Sequence, residues 1–123
     1  MTTRVLIVDD SLYMRTVIKE ALEENNYQIV GQAADGESAI DLALELQPDL
    51  ITLDNILPDM LGLDIIRTLK EESVNARIIM ISAVGQQSVI NAGMGLGADH
   101  YIVKPFSSEQ LLDAIQEVMT KNK

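Results

Sequence analysis

Five short apolar runs, each followed by a helical stripe of apolar residues, alternate along the chain and leave it very few ways to fold. Val5 to Val8 is continuous and ends in acid, the pattern of a strand buried on both faces. Met14, Val17, Ile18, Ala21 and Leu22 then recur at helical spacing, with Ser11 placed to cap them. Ile29 to Ala33 reads as the next strand, and Ala39, Ile40, Ala43 and Leu44 as a helix that Pro48 stops. Leu50 to Leu53 and Ile78 to Ile81 are further strands, separated by the stripe Leu63, Ile65, Ile66 and Leu69. A helix from about Gln87 to Leu96 contains Gly93 and Gly95, each costing roughly 1 kcal/mol against Ala, so it is expected to be short or mobile. Tyr101 to Val103 is the fifth strand, and Leu111, Leu112, Ile115, Val118 and Met119 stripe a last helix that Ser107 and Gln110 can cap reciprocally. Such alternation implies a parallel sheet with helices on both faces, whose ligand site lies at the carboxyl ends of the strands.

At 123 residues and 47% apolar content the chain suits one domain with a single packed core. It has no cysteine and one histidine, His100, which excludes a disulfide framework and a cysteine-bound metal. No apolar run approaches the ~20 residues that span a bilayer, and the first residues lack a basic stretch and long apolar region, so the expectation is a soluble, cytoplasmic protein without membrane insertion. Nine Lys and Arg against 19 Asp and Glu give a formal charge of −10, which would repel a phosphate backbone and argues against direct nucleic-acid binding.

The strand ends hold Asp9 and Asp10, Asp54, Ser82 and Lys104. Taken singly, the acids could cap a helix, Ser82 could close a turn and Lys104 could be a solvated charge. Together, three carboxylates converging on one crevice demand a cation or a shared proton. Magnesium meets that demand with carboxylates, waters and phosphate oxygens as ligands. A carboxylate held beside magnesium and a lysine is suited to attack phosphorus, and Ser82 can donate to a phosphoryl oxygen.

The motifs Leu6-Ile7-Val8-Asp9-Asp10, Asp54 with Pro58 and Gly62, Ile81-Ser82-Ala83 and Tyr101-Ile102-Val103-Lys104-Pro105-Phe106 occur in that order. With them the chain resembles the receiver domains of two-component response regulators from Arg4 to about Met119, and residues 81–88 are most similar to the chemotaxis, CheY-like branch. The resemblance implies a flavodoxin-like (βα)5 doubly wound parallel sheet of order 2-1-3-4-5, with residues 1–123 as a single receiver domain. It implies Asp54 as phosphoacceptor, Asp10 as direct metal ligand, Asp9 as a ligand through water, and the backbone carbonyl of Ile56 as a further ligand of Mg2+. Ser82 and Lys104 match the phosphoryl-sensing groups, Tyr101 the aromatic switch, and Lys104-Pro105 a cis peptide bond. Ile56 and Val84 match positions that tune dephosphorylation; both are apolar, so a slow loss of phosphate is expected. Asn55 and Leu57 depart from the usual pattern without removing a phosphorylation ligand, while Asn91, Gly93 and Gly95 place the departure on an output helix.

The partners so implied are a sensor histidine kinase, of chemotaxis type, and an output protein such as a flagellar motor switch, bound by the fourth helix, fifth strand and fifth helix. Catalysis is limited to the chain's own phosphorylation and dephosphorylation. Alternatives are a phosphorelay intermediate or a receiver cut from a longer regulator. A phosphohydrolase with an aspartyl nucleophile would need room for a cap. A flavodoxin-like FMN carrier would find its phosphate repelled by Asp9-Asp10-Ser11. A receiver-like binder that is never phosphorylated would have no use for the full acidic set and Lys104.

Overall fold

The first strand, β1 (Arg4–Val8), buries both its faces, as a continuous apolar run requires. Val5 and Ile7 turn to one side of the sheet and Leu6 and Val8 to the other. The structure, a computed structural model, describes residues 2–83 and 85–120. After β1 come α1 (Leu12–Glu23), β2 (Gln28–Ala33), α2 (Gly36–Leu46), β3 (Leu50–Leu53), α3 (Gly62–Glu71), β4 (Arg77–Ser82), α4 (Gln87–Leu96), β5 (His100–Val103) and α5 (Ser108–Thr120). The strands form one parallel sheet in the order β2-β1-β3-β4-β5, the flavodoxin-like order expected from the resemblance.

Two cores result. Val5, Ile7, Leu50, Ile79 and Ile81 pack against Ile18 and Leu22 of α1 and Leu111 and Ile115 of α5. Leu6, Val8, Ile51, Leu53, Ile78 and Met80 pack against Ala39 and Ala43 of α2 and Ile65, Ile66 and Leu69 of α3. Each fully buried Ile or Leu contributes about 1.5–3 kcal/mol, so the central strands anchor the strand ends where polar groups collect. No helix among the described residues is long and apolar enough to cross a membrane.

Local capping follows the sequence. The Ser11 hydroxyl accepts the Met14 N–H at 3.1 Å. Ser107 and Gln110 bond reciprocally, at 2.8 Å and 3.1 Å, before α5. The helix α2 ends at Leu46, with Gln47 left-handed (φ 49°) ahead of Pro48.

The α4 helix is a regular element of ten residues, and its glycines differ in purpose. A Cβ at Gly93 would sit 2.7 Å from Met80 Sδ in the core, so this glycine lets α4 approach β4 closely. Nothing lies within 4 Å of a Cβ at Gly95. Gly95→Ala is therefore expected to stabilise the fold by up to about 1 kcal/mol, and Gly93→Ala to destabilise it by about 1–3 kcal/mol. Urea denaturation midpoints check this; a Gly93→Ala variant as stable as the parent would show that the contact yields.

Candidate functional site

Register brings the acids together. Val8 pairs with Leu53 across β1 and β3, and the Asp54 N–H donates to the Val8 carbonyl at 3.0 Å, so Asp9 and Asp54 leave neighbouring strands side by side. This is the switch point of the sheet, since the chain continues from β1 to β2 on one side while β3 lies on the other. Ser82 pairs with Val103, and the Lys104 N–H donates to the Ser82 carbonyl at 2.9 Å, placing the lysine stem next to the serine.

Asp9 is buried and both of its carboxylate oxygens are engaged: Oδ1 accepts the Ser11 N–H at 2.9 Å and Oδ2 accepts Lys104 Nζ at 2.8 Å. Lys104 Nζ lies 3.6 Å from Asp54 Oδ2, so one ammonium faces two carboxylates. Asp54 is buried, while Asp10 is exposed at the mouth. The Asp54 carboxyl is held above its ordinary value, first by burial and then by the negative charges of Asp9 and Asp10; Lys104 and the Ile56 N–H, 3.5 Å from Oδ1, pull the other way.

Asp9, Asp10 and Asp54 each bring a ligand oxygen within 4.8 Å of the others. An all-oxygen set of three carboxylates, with Asp54 resisting ionisation, fits a hard divalent cation, so the cluster can hold a metal ion. The side chain of Ile56 is 55% exposed and stands clear of the core. Val84 lies outside the described residues. Lys104-Pro105 is cis, as the resemblance implies. Ser82 is buried at the strand end. Tyr101 is half-buried and packs toward α4, its ring 3.9 Å from where a Gly93 Cβ would fall, so it borders that helix.

Several supporting residues escape a sequence reading. Arg15 Nη1 donates to the Asp9 carbonyl at 2.7 Å and its Nε to Gln32 Oε1 at 3.1 Å, pinning the loop after β1 to β2. Asn55, read only as a departure from the usual aliphatic residue, is buried, and its Oδ1 accepts the Leu63 N–H at 3.3 Å. It thus caps α3, whose N-cap Leu61 has no side-chain acceptor. Asp59 accepts the N–H groups of Gly36 and Glu37 at 2.7 and 3.0 Å, joining the loop beyond Asp54 to the start of α2 and holding its own carboxyl below the ordinary value. Asp35, which caps Ser38 from within three residues, had a local signal; Asn55 and Asp59 had none.

The pattern of the response regulator receiver domain matches residues 5–116. The chain is 45% identical to protein CcdB of Bacillus subtilis, with 95% of this chain and 98% of that protein covered. It is 40% identical to the chemotaxis protein CheY of Bacillus subtilis, with 97% and 99% covered. Among solved structures, a CheX-CheY-BeF3-Mg+2 complex from Borrelia burgdorferi superposes with a TM-score of 0.93 at 33% identity, covering 97% of this chain and 90% of that one. Matched by this family over residues 5–116 and by these relatives over nearly its whole length, the chain belongs to the response regulator receiver domains of two-component systems and is CheY-like.

Proposed function

We propose that the chain takes a phosphoryl group onto Asp54 from a sensor histidine kinase, with Mg2+ as cofactor, and that this switches its α4-β5-α5 face to control an output protein in chemotaxis signalling. The observation that carries the reading is the single ammonium of Lys104 set between Asp9 and Asp54, 2.8 and 3.6 Å away, beside the exposed Asp10. In the transfer an Asp54 carboxylate oxygen bonds to phosphorus while the bond from phosphorus to the donor's imidazole nitrogen breaks, the electron pair leaving with the imidazole. Lys104 Nζ exchanges part of its contact with Asp54 for a phosphoryl oxygen, and the Ser82 hydroxyl donates to another. Asp10, Asp54 and the Ile56 carbonyl would hold Mg2+ directly and Asp9 through water, and the ion would supply positive charge to the equatorial oxygens. Exposed Leu12, Tyr13 and Ile56 offer a protein donor an apolar landing beside the acids. Ser82 drawn toward the phosphoryl group would free space for Tyr101, which borders α4. The chemotaxis assignment rests on the similarity to CheY proteins.

Acetyl phosphate with magnesium is expected to add one phosphoryl group per chain by intact mass, and chelating the metal to remove the reaction. No adduct, or labelling indifferent to magnesium, would overturn the reading. The adduct should be long-lived, because Ile56 and Val84 cannot orient an attacking water. Ile56→Asn is expected to speed its loss several-fold, and an unchanged decay would take Ile56 out of the lifetime.

A further inference from the structure

The β5 strand closes one side of the sheet, and among the described residues it pairs with β4 alone. The Lys104 N–H points to β4, donating to Ser82 at 2.9 Å, and successive backbone groups alternate along a strand. The Ile102 amide therefore faces β4, while those of Tyr101 and Val103 face the outer edge. At Tyr101 this edge is covered from within the chain: His100 Nδ1 accepts the Tyr101 N–H at 2.8 Å. A ring that accepts at Nδ1 carries its proton on Nε2, which faces Glu117 Oε1 at 3.8 Å. The imidazole is thus a small latch over an edge strand, one of the devices that keep such edges from pairing indiscriminately.

Between this edge and α5 runs a groove of about 430 Å3, lined among others by His100, Tyr101, Val103, Gln110, Asp113 and Glu117. No Lys or Arg lines it, and Asp113, Glu117 and Gln110 are exposed. We propose that this groove receives an extended segment of the output protein bearing lysine or arginine, which displaces the His100 latch, pairs along β5 as a further strand, and sets its cations against Asp113 and Glu117. The proposal rests on the reading of α4-β5-α5 as the output face and names the chemistry of what docks there. An extended segment is favoured over a helix because a helix satisfies its backbone internally and offers nothing to the amides of the edge. A basic segment is favoured over a second copy because two copies, each carrying −10, would bring Asp113 and Glu117 of both chains together.

The test is a titration of the full chain, with magnesium and beryllium fluoride, using three synthetic peptides of equal length. One alternates valine and lysine, one replaces each lysine by glutamate, and one is a lysine-alanine helix former of equal charge to the first. Backbone amide shifts and cross-strand nuclear Overhauser effects report binding. The valine-lysine peptide alone is expected to saturate, with strand contacts to Val103. Its affinity should fall roughly tenfold in the Asp113→Asn, Glu117→Gln double variant, whose changes are at exposed positions and leave the core intact. It should rise roughly threefold in His100→Ala, where the latch is gone, an outcome a merely structural histidine would not produce. Equal binding of the acidic or helical peptide, no saturation by the basic strand, self-association along β5, or unchanged affinity in the double variant overturns the proposal. Acetyl phosphate labelling of the same chains, in magnesium without beryllium fluoride, separates the two readings. An adduct without peptide binding sinks the docking surface alone, whereas a missing adduct sinks the receiver reading.

Discussion

Replacing Asp54 with asparagine is expected to abolish phosphoryl incorporation and, at the same time, to raise the metal-free stability of the chain at neutral pH. The first effect follows because an amide oxygen is no nucleophile toward phosphorus, and Asp9 is already engaged by Ser11 and Lys104. The second follows from crowding. Burial and the charges of Asp9 and Asp10 lift the Asp54 carboxyl above its ordinary 3.8, against the pull of Lys104. Between the ordinary and the raised value the folded chain binds more protons than the unfolded chain. Stability from this group is therefore present in acid, is lost as pH rises through that window, and stays lost above it. Asparagine removes the loss. Denaturant midpoints in chelator should favour Asp54→Asn at neutral pH and converge with the parent as pH falls below that window; parallel pH profiles would contradict the account. Added magnesium should stabilise the parent more than the variant, since only the parent has the third charge to neutralise.

Gly62→Ala is expected to destabilise the fold by at least about 3 kcal/mol and to slow labelling of Asp54 at least tenfold. A Cβ there would fall 2.7 Å from the Asp54 carbonyl oxygen and 2.9 Å from Asn55 Cα. Both are backbone atoms, and Gly62 is itself tied to Asn55 by an N–H to carbonyl bond of 2.6 Å. The clash cannot be relieved by turning a side chain; it has to move the phosphoacceptor's own backbone or the start of α3. Urea denaturation and the initial rate of acetyl phosphate labelling measure the two effects. A stable Gly62→Ala protein with normal labelling would mean that the loop after β3 is softer than its contacts indicate.

Sequence alone determined the elements and the chemistry of their ends. Apolar runs such as Val5–Val8 can be satisfied only by burial on both faces, and capping by Ser11 or by Ser107 with Gln110 acts within three residues, so both are written locally. The acids, Ser82 and Lys104 were legible because parallel strands must deliver their carboxyl ends to one side. The strand order was not derivable from those runs, because the same buried strands could be shuffled without exposing any apolar side chain; it came from resemblance and was met by the structure. The purpose of individual residues was decided by contacts far apart along the chain. Gly93, expected to weaken α4, is required because Met80 lies beneath it, while Gly95, the same residue two places on, meets nothing. Asn55 became a cap because α3 begins where its side chain ends, and Asp59 because α2 begins 23 residues upstream of it. Such roles belong to the tertiary structure, since a hydrogen bond or a close approach between distant segments exists only after packing has set their separation.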